Sequence, residues 1–367
     1  MKKWKRPWRQ WLKLADLPFP PVDYAERLLA WYGLTGRDLP WRNTRNPYRF
    51  WLSEIMLQQT TVAAVIGYYQ RFLKQLPNVE LLAAAPLEDI IDLWAGLGYY
   101  SRARNLHAAA KMVVEQFNGY FPEDVESLQK LPGVGRSTAG AISALAFDQR
   151  APILDGNVRR VLCRLFALRE PPRSTSAEKQ LWFWSEQLTP VENVHDYTQA
   201  IMDLGATVCV PRKPLCDECP LAELCRAYKL GLEQKLPLKQ TVKPIPTRYE
   251  VALLIEHHGC YLVRRRMTDG FLGGMWEFPT ISLTEGEDPE KKLYLLLADF
   301  GLNGSAEQVG TIQHVYSHFR LKSVAYCKKI ENFPNLSEDN NSWFPLEQLK
   351  NMALHGAHKK VLGILLK

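Results

Sequence analysis

From Asp23 to about Arg226 apolar residues recur at three- and four-residue spacing, and after Tyr249 they alternate in short runs. The first pattern predicts helices over Tyr24–Tyr32, closed by Gly33, and over Phe50–Leu73. Leu52, Ile55, Met56, Val62, Val65 and Ile66 supply the apolar stripe of the latter. Further helices are expected over Leu87–Trp94, Ser101–Phe117, Arg136–Phe147, Val158–Leu168, Lys179–Leu188 and Tyr197–Cys209. Gly36–Arg42 reads as an extended connection, Gly96–Tyr100 as a turn, and Glu123–Lys130 leads into a glycine hairpin. In the second pattern, Val251–Glu256 and Cys260–Arg266 flank the turn His257-His258-Gly259 as a β-hairpin does. Met275–Ile281 is a third strand candidate, and Lys291–Phe300 a helix stopped by Gly301. Gln308–Cys327 and Ser342–Phe344 add strands, and Gly356–Leu366 a final helix. An all-α domain is therefore followed by an α+β domain. Between them 230–248 holds three prolines and little periodicity, as a semi-extended linker or an arm packed on one domain.

Size and charge narrow the class. At 367 residues one ordinary core is too small, and 46% hydrophobic content is that of a globular chain. No run approaches the length of a membrane-spanning helix. Six basic residues precede the first acid, Asp16, with no apolar signal-peptide core, so a basic extension over 1–20 and a cytoplasmic location are expected. A net charge of +7 suits a polyanion as partner, and equally a merely soluble basic protein. Four of seven cysteines fall at Cys209, Cys216, Cys219 and Cys225, a cluster that suits a metal centre rather than a disulfide framework. Four thiolates in one short loop can enclose zinc or a [4Fe–4S] cluster.

Candidate chemistry gathers in Leu131–Arg160. Pro132 ends one helix, and Gly133 and Gly135 permit the positive φ of a tight reversal. The N–H groups opening the next helix can then hold a phosphate, with Arg136 and Ser137 beside it, although an ordinary glycine turn reads the same way. The small residues that follow let another backbone or a ligand approach closely. Asp155, after a buried apolar run and before Gly156, is either turn chemistry or a carboxylate aimed at what the hairpin delivers. Asn157 can cap the following helix. Glu54, among apolar neighbours, is either a solvent-facing helical residue or a carboxyl whose pKa burial raises.

The segments LPGVGRSTAGA and PILDGNVRRVLCR, taken with the cysteines, resemble the iron–sulfur branch of the helix-hairpin-helix DNA glycosylases, most closely the adenine DNA glycosylase (MutY) family. The resemblance covers nearly all of 20–367. It implies a multidomain chain: a basic extension (1–20), an all-α helix-hairpin-helix glycosylase domain (21–229) with a [4Fe–4S] loop (209–225), a linker (230–248) and an α+β Nudix-like domain (249–367). It also implies that Glu54 protonates the base and helps activate water, that Asp155 stabilises the sugar cation and that Asn157 orients Asp155. Gln59 and Tyr99 match positions that fill the vacated stack, and Arg37, Trp41 and Gln199 match positions around an extruded adenine. Ser137 stands where bifunctional relatives carry a Schiff-base lysine, which implies a monofunctional enzyme.

Arg264–Arg266 and Leu272–Pro279 resemble the Nudix-like domain of the same family, but no REUxEE carboxylate string follows. The domain is thus expected to bind rather than hydrolyse; the resemblance further implies that Ser317 and His318 read 8-oxoguanine, where the residues alone read equally well as a polar turn joining two strands. The expected substrate is double-stranded DNA carrying A:8-oxoG or A:G, bound by a monomer associated with a bacterial-type nucleoid. The competing readings are a thymine or pyrimidine glycosylase of the same superfamily and a non-catalytic cluster-bearing DNA-binding protein. Ser137 and the Nudix-like domain count against the first, and the paired carboxylates against the second.

Overall fold

A computed structural model describes residues 17–239, 244–267, 270–332 and 341–366. Most of the expected basic extension, and 240–243 of the expected linker, lie outside the described residues. The helices run α1 (Pro21–Thr35), α2 (Pro47–Leu57), α3 (Val62–Gln75), α4 (Val79–Ala84), α5 (Leu87–Leu93), α6 (Ser101–Phe117), α7 (Val125–Leu128), α8 (Arg136–Phe147), α9 (Gly156–Leu165), α10 (Thr175–Leu188), α11 (Val194–Thr207) and α12 (Arg226–Lys229). Then come β1 (Thr247–His257), β2 (Cys260–Arg265), β3 (Trp276–Glu277), β4 (Thr280–Leu283), α13 (Pro289–Asp299), β5 (Glu307–Val315), β6 (Arg320–Lys329), β7 (Asn341–Pro345), α14 (Leu346–Leu349) and α15 (Gly356–Leu365). No described helix is long and apolar enough to cross a membrane.

The described residues form two compact units, each assembled from two separate stretches of chain. The first comprises 17–55 and 120–239. Its axis is α11, which packs against α1, α8 and α9. Tyr24, Leu28, Ala141, Leu145, Leu162, Ile201 and Leu204 are buried together there. Each buried leucine contributes about 2 kcal/mol. Two glycines set the packing distance. A Cβ on Gly140 would stand 2.5 Å from the Pro152 carbonyl oxygen, and one on Gly205 2.5 Å from Asn157 Cβ. The small-residue face of α8 thus admits another backbone, as its composition led one to expect.

The second unit comprises 56–119 and 244–366. Its sheet has the order β3-β2-β1-β6-β5, with β4 on β1 and β7 on β2. The central pair β1–β6 is parallel, from Thr247 opposite Arg320 to Glu256 opposite Lys329. Val251, Leu253, Ile255 and Leu262 meet Leu293, Leu296 and Leu297 of α13. The same unit includes α3–α6, so compactness does not follow the expected boundary near residue 230. Arg104 of α6 donates to the carbonyls of Gly273 (3.0 Å) and Gly270 (3.3 Å). Arg265 of β2 donates to the Glu88 carbonyl at 3.3 Å.

Local differences from the sequence pattern have identifiable causes. The helix expected over Phe50–Leu73 is interrupted between α2 and α3, where Gln59 adopts φ 60°. Gly33 does not stop α1, whose last carbonyl-bound amide belongs to Gly36. Asp155, not Asn157, caps α9. The strand expected over Met275–Ile281 divides at Phe278–Pro279, because proline cannot donate to a ladder. α4 escaped the periodicity reading, although Asn78 accepts from the Leu81 amide at 2.9 Å and signals its start. The first half of the expected linker packs as an arm: Leu236 is buried, and its carbonyl accepts from Arg164 Nε at 3.0 Å.

Candidate active site and iron–sulfur loop

The glycine hairpin turns through Gly133, at φ 79°. Gly135 differs from expectation: it is the extended N-cap of α8 at φ −84°, a conformation open to other residues. Arg136 lies over the Trp182 ring at 3.8 Å. Ser137 faces inward, and its Oγ accepts from the Leu154 amide at 2.9 Å. The hairpin helix therefore holds the segment that ends in Asp155. Asp155 accepts from the Val158 amide at 2.7 Å. Burial raises its pKa, while the Val158 and Asn157 amides and the nearby arginines pull it down.

Glu54, on α2, is the second carboxyl of this unit. Burial pushes its pKa up to about 7, the Asp155 charge adds to the rise, and Arg42 opposes it. A group at that value is divided between acid and carboxylate near neutral pH, as proton delivery followed by water activation requires. Arg42 is itself held by Asp203, whose side chain is 1% exposed. Both Asp203 oxygens take bonds from Arg42, and Arg37 donates through Nε (2.8 Å) and Nη2 (2.6 Å). These two cations hold the Asp203 carboxyl below its ordinary pKa despite its burial.

Gln199 sits one turn before Asp203 on α11. Its Oε1 accepts from the Tyr32 hydroxyl at 3.0 Å and its amide nitrogen meets His195 Nε2. His195 Nδ1 lies 2.8 Å from the Leu145 carbonyl, which assigns that nitrogen the proton. Burial keeps the ring neutral by lowering its pKa. Trp41 is buried at 4% exposure. Of the residues expected around the base, Arg37 thus shares Asp203 with Arg42, while Gln199 bonds Tyr32 and His195, two polar clusters carried by successive turns of α11.

Gln59 and Tyr99 belong to the second unit. Both are exposed and both adopt left-handed backbone conformations, Tyr99 at φ 50°. Ser317 and His318 are exposed in the turn joining β5 to β6, closed by the Tyr316 amide on the Phe319 carbonyl at 2.9 Å. The Tyr316 hydroxyl anchors that turn on His355 Nδ1 at 3.0 Å. Glu277, behind His355, is held at about 2 by His355, Arg266 and Arg264 against the opposing effect of burial.

Cys209, Cys216, Cys219 and Cys225 line one cavity with Val161, Leu165, Leu204 and Leu221. Among the described residues no three potential ligands converge closely enough to hold a single metal ion. Zinc draws four sulfurs to about 2.3 Å from one centre. A four-iron cluster instead takes one thiolate at each corner, and the four cysteines lining one cavity supply that number. Burial and mutual repulsion raise Cys216 to about 11 and Cys219 to about 12, so these thiolates need a bound metal cation to persist. Arg164, 2% exposed, donates to the carbonyls of Cys209, Val210 and Pro211 and to Cys209 Sγ. Arg212, Lys213 and Arg226 project from the loop into solvent.

Sequence reasoning missed the arginines that organise these groups. Arg160 donates to Asn157 Oδ1 (2.7 Å), to the Cys209 carbonyl (2.7 Å) and to the Gly205 carbonyl. It therefore joins the Asp155 loop to the cysteine loop. Its only signal was its place after Asp-Gly-Asn. Arg42 and Asp203 carried no periodic signal, since they meet across 161 residues.

Residues 52–187 match the HhH-GPD superfamily of base excision DNA repair proteins, 209–225 the iron–sulfur binding domain of endonuclease III, and 250–363 the NUDIX domain. The chain is 36% identical to a mouse adenine DNA glycosylase over 92% of its own length and 77% of the relative's. Identity to the enzyme of that name from Buchnera aphidicola (subspecies Schizaphis graminum) is 34%, covering 93% of this chain and 98% of that one. A solved thermostable thymine-DNA glycosylase superposes with a TM-score of 0.53 at 31% identity, covering 57% of this chain and 97% of the other. With both carboxylates, the four-cysteine loop and the added sheet on one polypeptide, the chain belongs to the adenine DNA glycosylase family of iron–sulfur base-excision enzymes.

Proposed function

We propose that this protein flips adenine out of duplex DNA where it is mispaired with 8-oxoguanine or guanine, and hydrolyses its N-glycosidic bond without cutting the strand. The observation that carries the reading is Glu54 at about 7 in the same unit as Asp155. Protonated Glu54 delivers its proton to N7 of the extruded adenine, which makes the base a neutral leaving group. Bond cleavage then leaves a cationic sugar beside the Asp155 carboxylate, in the manner of glycoside hydrolysis. The deprotonated Glu54 accepts the proton of the attacking water. Asn157, tied to Arg160, keeps the Asp155 loop in place. Ser137 offers a hydroxyl already engaged with Leu154, so no amine is present there to form a Schiff base.

Arg37, Trp41 and Gln199 form the wall that reads adenine, Gln59 and Tyr99 fill the vacated stack, and Ser317 and His318 read 8-oxoguanine. The hairpin at Gly133, Gly135 and Arg136 grips backbone phosphate. The iron–sulfur cluster, when bound, orders the loop that presents Arg212, Lys213 and Arg226 to phosphates. Such a protein acts as a monomer on nucleoid DNA in the cytoplasm. A thymine-directed reading has one observation behind it, the superposition on a thymine-DNA glycosylase, but that likeness spans only 57% of the chain. Single-turnover assays on A:8-oxoG, A:G, T:G and abasic duplexes decide. Adenine release from the first two, abolished by Asp155→Asn and Glu54→Gln, is expected. Release of thymine from T:G, or near-normal rates in both variants, would overturn the proposal.

A further inference from the structure

Arg102 lies on α6, outside the chemistry considered so far, and is 6% exposed. Its Nη1 donates to the carbonyls of Met56 (2.6 Å) and Gln58 (2.7 Å). Its Nη2 donates to Thr60 Oγ1 (3.1 Å) and to the carbonyls of Leu97 (3.2 Å) and Gly98 (2.9 Å). The Arg102 amide also donates to the Tyr99 carbonyl at 2.8 Å. One side chain therefore binds both sides of Gln59 and the two residues before Tyr99. These are two loops more than thirty residues apart in sequence, and in each the exposed residue has an unfavourable positive φ.

The chemistry suits the task. The carbonyls of Met56 and Gln58 lie at the C-terminal end of α2, where four acceptors lack helical partners and the dipole favours a cation. A guanidinium presents several donors in one plane, so it can span two loops; an ammonium is a point donor. The guanidinium lies 5.3 Å from the Trp94 ring, whose Nε1 donates to the same Gly98 carbonyl at 3.1 Å. The Tyr99 ring is 5.5 Å away on its other loop. Although burial lowers the Arg102 pKa to about 10, it stays charged at neutral pH.

We infer that Arg102 is a positioning residue for base flipping: it clamps the Gln59 and Tyr99 loops to each other in the geometry that lets both side chains enter the duplex. The inference rests on the stack-filling role proposed above for Gln59 and Tyr99. A wedge of two independent loops would lose ordering entropy on every insertion, whereas a pre-formed pair has already lost it.

The experiment uses the full-length, cluster-loaded protein with 2-aminopurine replacing adenine, its emission reporting extrusion. Arg102→Met keeps the stem and removes every side-chain donor. It should reduce the emission gain about tenfold, as expected when charged hydrogen bonds are lost. The loss should be much smaller when the target lies opposite an abasic gap, where unstacking costs less. Arg102→Lys, able to hold one loop but not both, should recover only part of the signal. Should Arg102→Met not fold, Thr60→Val removes a single contact on the Gln59 side and should still depress duplex flipping selectively.

Equal losses on both substrates for these variants would make Arg102 merely structural and overturn the inference. So would normal flipping in Arg102→Met beside impaired flipping in Gln59→Ala and Tyr99→Ala, which leaves the stack-filling role standing. Normal flipping in those two alanine variants would remove that role itself, and the inference with it.

Discussion

Glu54 illustrates how one residue ties stability to chemistry. Its pKa rises from the ordinary 4.5 to about 7 because the charged form is desolvated. The folded chain therefore holds a proton that the unfolded chain releases. That stabilisation is full below about 4.5 and fades as pH climbs through about 7. Adenine release should fall over the same upper window, since the neutral acid disappears, and single-turnover rates from pH 6 to pH 9 measure it. Glu54→Gln should lose activity yet melt at a higher temperature than the parent at pH 9, because an amide is never charged. A lower melting temperature there would show that Glu54 is paired rather than desolvated. Asp155→Asn separates its two duties differently. Asparagine caps a helix about as well as aspartate, so the fold should survive within roughly 1 kcal/mol while the chemistry is lost.

Elements meet here through the absence of side chains as much as through their presence. α11 approaches Asn157 only because position 205 lacks a Cβ. Gly205→Ala forces Asn157 and the Asp155 loop to shift, at about 1–3 kcal/mol by analogy with other overpacked sites. Activity should fall by more than the change in folded fraction explains. Gly140→Ala meets the Pro152 carbonyl instead and should cost comparable stability. Comparing the melting temperatures and adenine-release rates of the two variants tests whether strain at Asn157 is the more harmful. Arg160 makes the same point with a positive contact, since it donates to one carbonyl of α11, one of the cysteine loop and the side-chain oxygen of Asn157.

At the scale of the molecule, domains read along the sequence and units read in space do not coincide. Helices α3–α6 share a unit with the sheet, bound by Arg104, Arg265 and the contact of Ile91 with Gly274. A chain truncated near residue 240 should consequently melt below the full chain, because Ile91 and Arg104 lose their partners. Equal melting temperatures would mean the linker marks a true stability boundary. The cysteine loop gives a second test. Cys219→Ser should lower iron content, weaken duplex binding and reduce the slope of binding against salt, because Arg212, Lys213 and Arg226 no longer meet phosphates together.

Local patterns sufficed for the helices α6 and α8, whose ends match expectation, and for the change from helix to strand after Tyr249. Short-range periodicity and spacing encode these directly. The four cysteines were legible for a related reason: metal ligands crowd into a few residues of sequence. Tertiary structure alone decided what depends on distant partners. It placed Arg42 and Arg37 on Asp203, Arg160 between two loops and Arg102 beneath Gln59 and Tyr99. It also broke the long helix expected from Phe50 and gave α9 its cap from Asp155. An arginine reads alike on any helix face; only the carbonyls and carboxylates that the fold brings to it determine what it holds.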